Sequence, residues 1–174
     1  LAKIAKQNGA LIFENTEVER ITDTSLITKN GTVQTKHIII ATHLPFNEPR
    51  GLKFIKDAYK TYMLEVKLPK GTLPEACFQD LKSPYHYIRV DKQKDFDRIL
   101  VGGEDHRKNI NVSEEKNFKA LERYFKSILP NVQYEVTNKW GGRVIETIDG
   151  LPYIGSFKDN PNHYYSTGFS GNGM

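Results

Sequence analysis

Alternating apolar and polar positions, the mark of strands with one buried face, run through most of this chain, broken by two stretches of helical period. The first stretch, residues 1–7, sets Leu1, Ile4 and Ala5 on one side and stops at Asn8-Gly9. The next run, Ala10-Leu-Ile-Phe13, is expected to be a strand leading on to Val18 and Ile21. Residues 25–28 and 32–35 flank Lys29-Asn30-Gly31, and Asn-Gly between two β-rich runs predicts a hairpin. His37-Ile-Ile-Ile-Ala-Thr42 is short, apolar and β-branched, which predicts a strand buried on both faces of a parallel sheet. Turn formers then dominate residues 43–51 and mark a crossing between domains.

Strict alternation returns over residues 58–68, with Tyr59, Thr61, Met63 and Glu65 on one face and Tyr62, Leu64 and Val66 on the other. Segments 85–91 and 98–103 flank a polar loop and are expected to pair antiparallel. Setting Asp91 opposite Arg98 places Ile88 against Val101 and Val90 against Ile99, an apolar face. The reverse face then carries Tyr85, Tyr87 and Arg89, with Gly102 across from Tyr87 leaving room for a ligand. An arginine flanked by tyrosines suits a carboxylate, because the guanidinium fork makes two parallel charge-assisted hydrogen bonds while the rings exclude water. Equally, Arg89 can be a surface residue paired with Asp91. The second helical stretch covers residues 113–129, with Ser113 as N-cap, Glu114 and Glu115 in the first turn, and a stripe of Phe118, Leu121, Tyr124, Phe125 and Ile128 to pack on the sheet. Residues 132–140 predict a further strand, carried on through Gly141-Gly142 to an Asp149-Gly150 turn and a short strand led by Pro152.

Composition narrows the class. With 174 residues, 38% of them apolar, the chain is long enough for a real core, and none of its runs approaches the ~20 apolar residues of a membrane span. The 25 basic and 21 acidic residues are interspersed, and the lysine-rich stretch 53–70 is diluted by Asp57 and Glu65, so no nucleic-acid surface is expected. Cys77 is the single cysteine. It excludes an internal disulfide and fits a reducing, cytoplasmic setting. Glu104, His106 and His86 resemble metal ligands in type, but zinc needs three or four convergent ligands at firm spacing, and no metal site is expected. His43 is a candidate to line a cavity between domains.

The C-terminal stretch 163–174 reads as a strand running into a turn with Gly168, Gly171 and Gly173. Such turns let backbone N–H groups approach an anionic or electron-rich ligand. The sequence stops at Met174 where a helix is expected to begin, and it opens inside a helical pattern without an initiator methionine, so the chain is expected to be a piece of a larger protein.

Trp140, Gly141-Gly142, Asp149-Gly-Leu-Pro-Tyr-Ile-Gly155 and Thr167-Gly-Phe-Ser-Gly-Asn-Gly-Met174 follow one another in the order and spacing seen in FAD-dependent oxidoreductases similar to D-amino acid oxidase, glycine oxidase and sarcosine oxidase. Asn8-Gly9-Ala10 to Val18 resembles that family's adenine-side strand, and residues 38–42 its second cofactor-side strand. The resemblance implies an α+β architecture: an antiparallel-sheet substrate domain, residues 47–139, flanked by partial elements of an α/β FAD-binding domain, residues 1–46 and 140–174. It implies FAD as cofactor in the full-length protein, with secondary contacts from Val18, Ala41, Thr42, Gly168, Gly171, Asn172, Gly173 and Met174. The family's N-terminal GxGxxG, which holds the pyrophosphate, is not in this sequence, so the fragment alone is expected to bind FAD weakly and to be inactive.

The chemistry implied is oxidation of an amine or amino acid by hydride transfer to flavin, with oxygen or another electron acceptor closing the cycle. Substrate binding would fall to Tyr87, Arg89, Arg143 or His43. Relatives often carry a carboxylate-binding arginine between the tryptophan and the Asp-Gly pair, but counting back from Asp149 lands on Val144. Either a bulge turns Arg143 to the flavin, or this protein does not use that anchor. The alternative is a non-catalytic docking module, because the Asp-Gly-Leu-Pro-Tyr-Ile-Gly version of the motif is reminiscent of relatives fused to a Rieske iron–sulfur domain.

Overall fold

The computed structural model describes residues 1–45, 56–107 and 112–172, and the chain divides into two compact units: residues 1–53 with 153–167, and residues 54–152 with 168–174. The fold is α+β with antiparallel sheets predominating, as the sequence implies.

In the first unit, α1 (Ala2–Gln7) ends at Asn8, whose side-chain amide donates back to the Ile4 carbonyl at 2.9 Å. Strands β1 (Val18–Ile21), β2 (Ser25–Thr28) and β3 (Gly31–Gln34) form a meander. The hairpin forms where expected, but Thr28 pairs with Gly31, so Lys29-Asn30 make the two-residue turn. Residues 10–13 are not a strand: Leu11 and Phe13 are 81% and 66% exposed, and the chain turns at Asn15 with a left-handed φ of 53°. A four-residue apolar run does not make a strand without an edge to pair with.

β4 (Ile38–Ile40) pairs in parallel with β11 (Asn160–Thr167), which pairs antiparallel with β10 (Tyr153–Phe157). The parallel pairing is as expected, but burial on both faces is not. Ile38 and Ile40 are buried with Tyr165, whereas Ile39 points the other way and is 76% exposed. His163 Nε2 lies 3.1 Å from the Thr22 carbonyl and joins the meander to the parallel pair.

The second unit is a five-stranded antiparallel sheet ordered β6-β7-β8-β5-β9, made by β5 (Lys56–Pro69), β6 (Cys77–Gln79), β7 (His86–Lys92), β8 (Phe96–Arg107) and β9 (Glu135–Thr147). Helix α2 (Glu114–Ile128) covers one face. Its apolar stripe of Phe118, Leu121 and Phe125 packs onto Tyr62, Leu64, Val66, Ile88, Val90, Ile99 and Val101, all buried. At about 25 cal/mol per Å² of apolar surface, each of these side chains contributes about 1.5–3 kcal/mol, so this layer is the unit's main stabilising element. Polar groups on the same face are paired with the helix or with each other: Lys60 with Glu114, Lys139 Nζ with Glu122 Oε1 at 2.5 Å, and Tyr62 Oη with His106 Nε2 at 3.0 Å.

The expected register Asp91↔Arg98, Val90↔Ile99, Ile88↔Val101 and Tyr87↔Gly102 is the one observed. The expected domain boundary at 46/47 lies outside the described residues. The one at 139/140 falls inside β9, which runs unbroken to Thr147, so Trp140 and the residues after it share the five-stranded sheet.

Candidate functional site

Because successive strand residues face opposite ways, the face of this sheet turned from α2 is built from the intervening positions. They include Met63 opposite Trp140, Thr61 opposite Gly142, Tyr59 opposite Val144, and Tyr87 opposite Gly102. Trp140 is 39% exposed, so an unusually large apolar ring is left at the surface.

At one end of this face a bulge in β8 gathers the polar groups. Lys60 pairs with His106 but Tyr62 with Gly103, so β8 carries one extra residue there. The bulge is reached through Gly103 at φ 143° and Glu104 at φ 57°. A Cβ at Gly103 would sit 2.5 Å from the Tyr85 carbonyl oxygen, so only glycine fits. Gly102 is needed for a different reason: the ring of Tyr87 lies flat over it, with Cζ 2.2 Å from where a Cβ would be. The space expected beside Gly102 is therefore taken by Tyr87 itself.

Beyond the bulge stands Asp105, whose negative charge acts on both Tyr85 and Tyr87. Burial first, and then the nearby Asp105 charge, push the Tyr85 phenol up to about 12. Burial and Asp105 raise Tyr87 as well. The two rings stack with centroids 6.1 Å apart. Asp105 Oδ1 is buried and has no hydrogen-bond partner among the described residues.

The glycine turn 168–172 belongs to the same unit. The backbone is left-handed at Gly168 (φ 77°) and Ser170 (φ 55°), and a single 3-10 turn follows at Ser170–Asn172. Ser170 Oγ donates to Glu146 Oε1 at 3.2 Å, and a Cβ on Gly171 would lie 3.8 Å from the Tyr85 hydroxyl, so this turn abuts the tyrosine pair.

On the helix side the bulge is held by His86. Its Nδ1 lies 3.1 Å from Asp80 Oδ2 and its Nε2 3.0 Å from Glu104 Oε1, and its ring stacks on Tyr124 of α2 at 4.0 Å. Asp80 also accepts from the His86 backbone N–H at 2.8 Å, and its hydrogen bonds to His86 hold its carboxyl below the ordinary value against the opposing effect of desolvation. His86 and Glu104, considered as metal ligands from the sequence, are thus engaged with each other, and His106 is engaged with Tyr62.

The structure brings some of the sequence-derived candidates together and separates others. Tyr87 lies on the open face, with its ring over Gly102. Arg89 shares that face, but its Nε donates to Asp91 Oδ1 at 2.9 Å, and Asp91 also takes Arg98, the pairing weighed as the surface alternative. Arg143 pairs with Lys60, which bonds Glu114 of α2, and its charge acts on Lys60. The β5–β9 register shifts only between Glu65 and Val66, so no bulge turns Arg143 over, and Val144 holds the open-face position.

The remaining candidates lie in the first unit or beyond the described residues. His43 has a left-handed φ of 61°, and its carbonyl accepts from Thr167 Oγ1 at 2.6 Å. Val18 and Thr42 line an apolar cleft of about 240 Å³ together with His37, Ile38 and Ile39. Ala41 is exposed. Gly168, Gly171 and Asn172 lie in the glycine turn, and Gly173 and Met174 fall outside the described residues.

Sequence reasoning missed Asp105, Glu146 and Arg107, whose Nε lies 3.4 Å from Tyr59 Oη on the open face. Asp105 and Arg107 could not be placed by alternation, because the bulge resets the parity. The Gly102-Gly103 pair was the available signal.

The family model for "FAD dependent oxidoreductase" matches residues 1–174. Among solved structures, glycine oxidase from Bacillus cereus ATCC 14579 is 24% identical with a TM-score of 0.71, covering 99% of this chain and 49% of that one. L-proline dehydrogenase from P. horikoshii is 22% identical with a TM-score of 0.74, covering 98% and 48%. A curated relative, the putative Rieske 2Fe-2S iron-sulfur protein YhfW of Bacillus subtilis (strain 168), is 25% identical over 97% of this chain and 34% of its own length. The chain spans about half the length of these solved structures and a third of the curated relative. With the family match running from end to end, the chain belongs to the FAD dependent oxidoreductase family.

Proposed function

We propose that the open face of the five-stranded sheet is the substrate surface of an FAD-dependent amine or amino acid oxidoreductase, and that the glycine turn 168–172 lies against the flavin ring. The observation that carries this reading is the convergence, within one unit, of the Tyr85–Tyr87 pair, Asp105 and the glycine turn on the face that α2 leaves uncovered. The helix-covered face spends its apolar residues on the core, whereas this one keeps Met63 and Trp140 for contact with something else.

The glycine turn fits a close approach by a flavin, since Gly171 is exposed and carries no side chain there. The other unit has an apolar cleft of its own, lined by Val18 and Thr42. When bound, the flavin supplies the hydride acceptor for the carbon next to the substrate nitrogen. The chain's own residues have other tasks. Tyr87 and Trp140 shelter the substrate from water, Tyr85 and Asp105 hold its polar end, and backbone N–H groups of the glycine turn would favour negative charge on a flavin held there. Oxygen or another acceptor would close the cycle.

The test is an absorbance spectrum of the full-length protein followed by an anaerobic screen of amino acids and N-methyl amines. A flavin spectrum bleached by at least one amine is expected; flavin that no amine bleaches would remove the catalytic reading. Residues 1–174 expressed alone are expected to purify colourless, since no GxGxxG stands in this sequence. Stoichiometric FAD on that piece would contradict the assignment of these residues to secondary contacts.

One observation favours a second reading. The likeness to the Bacillus subtilis protein supports a docking module in a Rieske-fused flavoprotein, in which the open face receives a partner domain. A Cys-x-His pair downstream of residue 174, together with flavin inert to amines, would select it.

A further inference from the structure

His86 is buried, at 7% exposure, and both of its ring nitrogens face carboxylates: Nδ1 lies 3.1 Å from Asp80 Oδ2 and Nε2 3.0 Å from Glu104 Oε1. An ionised carboxylate only accepts hydrogen bonds, and a neutral imidazole has a single N–H to donate. Both contacts are hydrogen bonds together only while the trio holds one proton more than a neutral ring and two carboxylates. Whether that proton sits on nitrogen or on a carboxylate oxygen, it is the same proton that a rise in pH removes. Among the described residues, the titratable groups that face the ring are Asp80, which follows β6, Glu104 in the bulge of β8, and Tyr124 of α2, stacked on it at 4.0 Å. The bulge packs closely here, since a Cβ on Gly103 would sit 3.0 Å from His86 Cδ2 and 2.5 Å from the Tyr85 carbonyl oxygen. Asp80 is fixed by further hydrogen bonds, from the backbone N–H groups of Lys82 at 3.3 Å and His86 at 2.8 Å. Glu104 instead has a left-handed backbone, φ 57°, which a residue with a side chain adopts at a cost.

We propose that Asp80, His86 and Glu104 form a pH-operated clamp on the β8 bulge, closed while the shared proton is present and released at Glu104 when it leaves. The sign follows from the chemistry. The second donor exists at lower pH, above the range in which carboxyls themselves titrate, and it is lost as pH rises, so the clamp holds on the acid side and opens on the alkaline side. The His86–Asp80 contact survives on the remaining N–H, whereas a bare ring nitrogen then meets the Glu104 carboxylate and the two repel. Opening is felt across the sheet, because His86 stands between Tyr85 and Tyr87 in the chain and strand alternation puts those two rings on the open face. The clamp goes beyond the reading of that face as a substrate surface and does not depend on it.

The test is backbone amide hydrogen exchange of the full-length protein over residues 102–106, with rates corrected for the intrinsic pH dependence of exchange. From about pH 6 to about pH 9 the protection of this segment is expected to fall about tenfold or more, the effect of losing one charged hydrogen bond. Glu104→Gln distinguishes the clamp from a contact that is only structural. A carboxamide accepts from the ring N–H at low pH and donates to the bare nitrogen at high pH, so protection in this variant is expected to change less than about twofold over the same range. Asp80→Asn offers the same exchange of roles at Nδ1 and decides the matter if Glu104→Gln does not fold. Wild-type protection that stays level across the range, or a fall in both amide variants as steep as in the wild type, would overturn the proposal. Because the readout is exchange, protein lacking flavin or inert to amines would count against the oxidoreductase reading alone.

Discussion

The two faces of the five-stranded sheet are made by the same strands, residue by alternate residue, yet they are chemically opposite. On the helix side, Tyr62, Leu64, Val66, Ile99 and Val101 are fully buried, and Lys60, Lys139, His86 and His106 all have named partners. On the other side Trp140 is exposed, Tyr87 is folded down over a glycine, and Asp105 Oδ1 is buried without a partner among the described residues. Natural cores satisfy their polar groups and fill their space. The helix-covered face fills its space, though Asp97 Oδ1 and Asn117 Nδ2 lack partners there among the described residues, whereas the other face leaves Trp140 at the surface. On the proposed reading, the difference separates stability from recognition on a period of two residues.

Substitutions on the helix side should therefore act on folding first. Leu121→Ala, at a fully buried position, is expected to cost about 2–5 kcal/mol in denaturant unfolding. A loss below about 1 kcal/mol would mean that α2 does not hold this face. Gly102→Ala probes the boundary between the two roles. The new methyl collides with the Tyr87 ring and should cost about 1–3 kcal/mol while lifting the ring off the sheet, a change visible in near-ultraviolet circular dichroism. His86→Leu leaves Asp80 and Glu104 without their shared partner, at a cost of about 1–3 kcal/mol, and loosens the bulge. The Tyr85 phenol should then titrate closer to the ordinary value of about 10 than to about 12, read by absorbance at high pH.

Acid should weaken the unit through its depressed carboxyls. Asp97 is fully buried, and its bonds to Lys92 Nζ at 2.7 Å and the Gly71 backbone N–H at 2.9 Å hold its carboxyl below the ordinary range, the lysine contact first. Asp80 and Asp91 are lowered too. For a carboxyl depressed on folding, the stabilisation is complete above the unfolded value near 4 and disappears as pH falls through the folded one. Unfolding free energy should thus be flat with respect to these groups above about pH 5 and drop below about pH 4. Asp97→Asn should flatten that drop. The smallest effect is expected at Arg89→Ala. Its side chain is 62% exposed, so losing the Asp91 pair should cost under about 1 kcal/mol.

Much of this was legible in the residues because alternation is a strong signal wherever one face is buried. The β7–β8 register followed from matching Ile88 and Val90 to Val101 and Ile99, and the helix from its stripe and Ser113. Residues 10–13 misled because they are apolar without a partner edge. Ile39 misled because a β-branched run says nothing about what covers its second face. The offset between Arg143 and Val144 was readable by counting, and only the unbroken register could settle which face each takes. Asp105 was hidden because a one-residue bulge inverts the parity on which the counting depends.

The central claim is that substrate chemistry belongs to the open face and not to the helix-covered one. It is tested most directly by stopped-flow anaerobic bleaching of the bound flavin in full-length protein, comparing Tyr87→Ala with Arg143→Ala and using whichever amine reduces the wild type. The account predicts that Tyr87→Ala slows bleaching by about tenfold or more and that Arg143→Ala changes it by less than about twofold. Bleaching that survives the loss of Tyr87 and collapses with the loss of Arg143 would contradict it.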